Sequence, residues 1–136
     1  MTPLPSRPLV DALLAAWRAA VPATLAIHDG EALPDADPPY AVAYFDTGMK
    51  SGFHRNLVND GPNELRFQIT SVGKTRDQAA WVADKMAAAV LGTVPTVAGR
   101  RVWPAVEEGA QPIRREDDST ALFYATSQYV TRSDPV

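Results

Sequence analysis

Between Glu64 and Val90 the chain changes its hydrophobic period, and no other feature constrains the fold as much. In "ELRFQITSV" apolar and polar residues alternate, with Leu65, Phe67 and Ile69 on one face and Glu64, Arg66, Gln68 and Thr70 on the other. A strand with one apolar and one polar face belongs in an antiparallel sheet covered on a single side. Beyond Gly73-Lys74 the spacing becomes helical, and Ala79, Val82, Ala83, Met86, Ala89 and Val90 share one face. Thr75 and Gln78 stand at capping-box spacing, Asp77 sits where the helix dipole favours negative charge, and Gly92 is the expected stop.

The rest of the chain extends this pattern. Ser6 ahead of Arg7-Pro8 marks a helix start, Val10, Leu13, Leu14, Trp17 and Val21 give it an apolar face, and Pro22 ends it. "ATLAIHDG" (23–30) and "YAVAYFDT" (40–47) read as strands joined by an acidic, proline-rich connection. "GRRVWPAVEE" (99–108) reads as a strand that Pro104 confines to an edge or interrupts, and "STALFYATSQYVTR" (119–132) as a long final strand. The expected class is α+β: a single antiparallel or mixed β-sheet with two α-helices packed on one face, in the order α-β-β-β-α-β-β. The 136 residues suit one domain, with flexible ends at about 1–5 and 133–136 and a long loop at about 46–63.

Strand, Gly73-Lys74-Thr75, helix is the context of a phosphate-binding loop. That motif needs a glycine five residues before Gly73 so that backbone N–H groups can wrap phosphates, and Gln68 stands there. The triplet is therefore read as a turn and a helix cap. His28 to Glu31, with Asp35 or Asp37, is half a metal site at most, without a second histidine at ligand spacing. His54 has no evident acid–base partner, and no serine sits in a Gly-x-Ser-x-Gly elbow. Glu107-Glu108 and Glu116-Asp117-Asp118 are charge runs, the second next to Arg114-Arg115. Cysteine is absent, which removes thiolate chemistry and disulfides. The net charge of −3 gives no electrostatic reason for free nucleic-acid binding. The apolar run near the N-terminus is short and interrupted by Arg18, so a soluble protein made in a cytoplasm is expected, with no membrane partner, no cofactor and no catalysis.

What remains is surface. Trp81 lies off the apolar stripe of its helix, on a side shared with Lys85, and either packs under a neighbouring loop or anchors an interface. Met49 and Phe53 are apolar residues in the long loop, beside Lys50, His54 and Arg55. The final strand carries Phe123 and Tyr129 on one side and Leu122, Tyr124 and Val130 on the other, so both faces need cover. An adjoining subunit is a simple source of the second cover. Candidate subunit contacts are therefore Trp81, Lys85, Phe123, Tyr124 and Tyr129, and the candidate partner-contacting loop residues are Met49, Lys50, Phe53, His54 and Arg55.

"PPYAVAYFDTG", "LRFQITSVGKTRDQAAWVADKMAAAVLG" and "FYATSQYVTR", in that order, resemble the small tail terminator (tail completion) proteins of long-tailed bacteriophages, particularly those of actinobacterial hosts. The similar pieces run from about Tyr40 to Arg132. The resemblance implies a virion protein at the tail–neck junction that forms a six-membered ring. Such a ring ends tail-tube polymerisation and meets the head-side connector while DNA passes through the lumen. It implies no catalytic or ligand-binding residues. Three other readings stand beside it: another head–tail joining or minor tail protein, a small enzyme or ligand-binding domain using His54 or the acidic loops, and a monomeric domain with Trp81 simply buried.

Overall fold

The structure is a computed structural model that describes residues 7–34, 36–46, 49–50, 63–115 and 122–135. Helix α1 (Arg7–Ala20) buries Leu9, Val10, Leu13, Leu14 and Trp17; the expected cap, Ser6, lies outside the described residues. A turn closed by the Leu25 N–H on the Pro22 carbonyl leads into β1 (Ala26–Asp29). β1 runs parallel to β2 (Tyr40–Phe45), and β2 is antiparallel to the eleven-residue β4 (Asn63–Gly73). Two residues of the expected long loop, Met49–Lys50, form β3 on the start of β4. Phe53, His54 and Arg55 lie outside the described residues.

Helix α2 (Arg76–Gly92) is capped much as its sequence suggests. The Gln78 N–H donates to Thr75 Oγ1 at 3.0 Å, and Gln78 Oε1 accepts from the Lys74 N–H, one residue before the cap, at 2.7 Å. Its end differs from expectation. Gly92 is still helical, and the stop is Thr93, extended at φ −123°, whose hydroxyl donates to the Ala89 carbonyl at 2.6 Å. Ala83 is only half-buried, at the margin of the apolar face.

After α2 come β5 (Arg100–Val102), β6 (Val106–Ala110), β7 (Arg114–Arg115) and β8 (Phe123–Pro135). The sheet order is β1-β2-β4-β8-β5, with β6 and β7 also on β8. This is the expected class: a mixed sheet with two helices on one face, in the expected order, with β3 as an addition and the strand around Pro104 broken into β5 and β6. One boundary is corrected. Residues 133–135, expected in a free end, belong to β8, where Ser133 is buried and paired with both Asn63 and Val102.

Alternation sorts the side chains cleanly. Ala41, Ala43, Leu65, Phe67, Ile69 and Tyr129 point to the helices and meet Leu13, Trp17, Val82, Met86 and Val90 in one core. Trp17 stacks on Phe45 at 5.8 Å and tilts against Phe67 at 5.0 Å, and Phe67 stacks on Tyr129 at 5.5 Å. The opposite face, with Tyr40, Tyr44, Gln68, Thr70, Tyr124, Gln128 and Val130, has no helix over it among the described residues, although Val42 and Val72 on it are buried.

Both sheet edges are blunted against further strand pairing. At β1 the Arg18 guanidinium donates to the Ile27 carbonyl at 2.8 and 3.3 Å, occupying a backbone acceptor of the edge strand. At the far edge, β5, β6 and β7 act as one broken strand along β8. Four of its residues span three of β8 between Val102 and Val106, an extra residue is inserted between Glu107 and Gly109, and four again span three between Ala110 and Arg114. Bulges, prolines and charges are the usual protection of an edge, and Pro104, Pro112, Glu107, Glu108, Arg114 and Arg115 supply them here. Among the described residues no helix is long and apolar enough to cross a membrane.

Candidate functional site

The uncovered face of the sheet is the candidate site, and its composition follows from strand register. Across β2, β4 and β8 the rows read Tyr40–Val72–Tyr124, Val42–Thr70–Thr126 and Tyr44–Gln68–Gln128. Aromatic rings, amides and hydroxyls therefore line up in a largely uncharged field, in which Val42 and Val72 are buried. Tyr44 is 43% exposed at its rim, and His28 packs edge-on to Tyr40 with ring centroids 5.5 Å apart.

Towards the far edge the face becomes charged and hollow. Arg66 stands at its centre, with Nε 3.3 Å from Glu108 and Nη1 3.2 Å from Glu64. The Asp46 carboxylate accepts from the Arg66 backbone N–H at 3.2 Å. The charge of Glu108 raises the guanidinium pKa above its ordinary value, desolvation works against it, and the Glu64 hydrogen bond adds to the rise. On one side of Arg66, Tyr44, Gln68, Glu108 and Gln128 border a hollow of about 280 Å³. On the other, Trp103, Pro104, Val106 and Val130, with Glu64 and Arg132, border an apolar hollow of about 510 Å³.

Trp103 forms the wall of that second hollow and is fixed from three sides. Its indole N–H donates to Asp134 Oδ2 at 2.6 Å, its backbone N–H to the Arg132 carbonyl at 2.9 Å, and the Arg101 guanidinium lies 4.4 Å from its ring centroid. Burial opposes the charge on Asp134, but hydrogen bonds from Trp103 and Arg132 outweigh it and hold the carboxyl below its ordinary pKa. Even so, Trp103 remains 40% exposed and Val106 60%. Sequence reasoning missed this group. The available signal was a tryptophan next to a proline in a strand with no apolar partner face.

The residues singled out from sequence fall into separate places. Trp81 is half-buried in the helix layer, packed against the core, with Lys85 Nζ 6.0 Å from its ring centroid. Phe123 is half-buried on the helix side of β8, and Tyr124 half-buried on the uncovered face. Tyr129 is corrected: it is 2% exposed and stacked on Phe67, because alternation turns it to the helices, so it offers no contact surface. Burial, with Glu107 adding, raises its phenol pKa. Met49 and Lys50 are placed by the backbone pairing of β3, at the charged end of β4.

Of the remaining sequence candidates for chemistry, Asp35, His54 and Glu116-Asp117-Asp118 lie outside the described residues. Lys74 Nζ pairs with Asp37 at 3.1 Å, and a side chain at Gly73 would collide with the first turn of α2. No group of three or more His, Cys, Asp or Glu among the described residues is placed to hold a metal. On the uncovered face Arg66, Glu64, Glu108 and Arg132 are ion-paired, Arg114 meets only the Gln111 amide among the described residues, and the other polar groups are amides and hydroxyls, an arrangement suited to docking a surface.

No protein-family model and no curated protein matches the chain. Its fold is similar to that of a chain in a solved structure, "Virion of native gene transfer agent (GTA) particle". The match has a TM-score of 0.56 at 15% identity and covers 94% of this chain and 90% of that one.

Proposed function

We propose that this protein is a structural virion component of a phage-like particle, and within that class a tail terminator. It forms a six-membered ring that caps the tail tube, stops its polymerisation and meets the head-side connector. The observation that carries the reading is the fold correspondence over 94% of this chain and 90% of a chain from a gene transfer agent virion. Coverage that complete on both sides means that the two folds correspond along nearly the whole of both chains. The segment resembling tail terminators supplies the finer role.

A closed ring needs two different patches per subunit in head-to-tail contact. The helix layer with Trp81 and Lys85 supplies one. The uncovered sheet face, with Tyr124 and the hollow walled by Trp103 and Val106, supplies the other, and Phe123 lies at the end of β8 between them. The loop holding Met49, Lys50, Phe53, His54 and Arg55 is assigned to the axial contact with the tail tube protein or the connector. DNA passes through the lumen without specific binding. A net charge of −3 suits a conduit, because each neutralised phosphate would add affinity and hinder passage.

The test is native mass over a wide concentration range, with electron microscopy of the same samples. A six-subunit ring with an open centre is expected, free in solution or templated on purified tail tubes. A protein that stays monomeric and fails to cap tubes overturns the terminator role.

A further inference from the structure

The far edge of the sheet carries a charge pattern that is its own complement. From Glu107 to Arg115 the sequence is "EEGAQPIRR": two acids, five uncharged residues, two bases. Reversed about Gln111, each acid falls on a base. Register places these side chains on matching faces. Glu107 pairs with Tyr129 and Arg115 with Phe123, both on the helix side. Arg114 pairs with Tyr124 on the uncovered side, where Glu108 meets Arg66.

We infer that this edge pairs with a second copy of the chain about a two-fold axis through Gln111. Glu107 then faces Arg115 of the second copy on the helix side, and Glu108 faces Arg114 of the second copy on the uncovered side. Each contact occurs twice, so one geometry forms four opposite-charge pairs. The charge complementarity specifies the occupant: a neutral strand would leave all of these groups unpaired, and a uniformly charged strand would set half of them against like charge. All four residues are exposed. Pro112 has no N–H to offer and the strand is bulged at Glu108, so charges rather than a backbone ladder hold the contact. It is accordingly weak and sensitive to salt. This isologous contact is distinct from the head-to-tail contact of the proposed ring and would join two subunits, or two rings, through their edges.

The chain has no cysteine, which makes the axis directly testable. In Gln111→Cys, a two-fold contact brings the same residue of two copies together, whereas a head-to-tail ring brings different residues together. With a mild thiol oxidant at low salt, the full chain carrying Gln111→Cys is expected to give a disulfide-linked dimer. Yield should fall roughly tenfold at high salt, where exposed charges are screened. Glu107→Arg or Arg115→Glu, added singly to Gln111→Cys, each sets like charges face to face and should abolish cross-linking. An equimolar mixture of the two should restore it as a heterodimer. Both sites are exposed, and melting curves of the variants verify the fold. Absence of the Gln111→Cys dimer at low salt, or cross-linking indifferent to the reversals and to mixing, overturns the inference.

Discussion

A methyl group at position 73 would run into the Ala79 nitrogen and sit 2.8 Å from the Gln78 carbonyl carbon. These are backbone atoms of the first turn of α2, so they cannot swing aside as a flexible side chain would. Gly73 is therefore explained by close approach of strand and helix, Thr75 by the cap and Lys74 by its pairing with Asp37. The triplet that looked like the end of a phosphate loop is accounted for residue by residue. Gly73→Ala is expected to cost about 1–3 kcal/mol in urea unfolding, the usual range for overpacking. Gly109→Ala is the control: nothing stands within 4 Å of its added carbon, and its effect should stay within about 0.5 kcal/mol. A neutral Gly73→Ala would mean that α2 stands off from β4. Trp17 shows a different limit of reading residues. Its place in the apolar stripe is evident from spacing, but its fully buried indole N–H, without a partner among the described residues, is a property of the packed core alone.

At the scale of elements, what was legible in sequence was what local physics decides. β4 and α2 followed from period and capping, because each carries its own alternation or cap within a few residues. The far edge did not. β6 and β7 are exposed, β5 is half-buried at two of its three residues, and pairing with β8, which no local rule announces, sets their register. For the same reason the last strand was expected to stop near Arg132, although Asp134 closes the Trp103 hollow by accepting its indole hydrogen bond. That clasp is testable by pH. Asp134 titrates below its ordinary value of 3.8 in the folded chain, so it binds its proton more weakly there than when unfolded. Its stabilisation is therefore complete above the unfolded pKa and is lost as pH falls through the lowered folded one. Melting temperatures of the native chain should drop below about pH 4 more steeply than those of Asp134→Asn, with the two curves converging at the acid end. Parallel curves across that window would show that the carboxylate does not hold Trp103.

For the whole molecule, the proposed ring raises the question of how a domain with both edges blunted would assemble. Continuous sheet growth between copies is blocked by Arg18 on β1 and by bulges and prolines along β8, so contacts must run through side chains. Faces are then the large surfaces available, and this chain has two unlike ones. One is a helix layer whose last turns, after Lys85, carry only apolar residues and glycine; the other is a hollowed, amide-rich sheet face. Unlike faces meet head to tail, and such contacts close into a ring when the rotation between copies divides a full turn. Trp81 discriminates this arrangement from a monomer that buries it for stability alone. Being half-buried, it should cost less on truncation than the roughly 3–5 kcal/mol of a fully buried tryptophan. Trp81→Ala is therefore expected to keep a cooperative melt while losing ring assembly, as read by native mass at concentrations where the parent chain is fully assembled. Loss of the fold itself would place Trp81 in the core, and rings of undiminished stability would move the contact to another part of the helix layer.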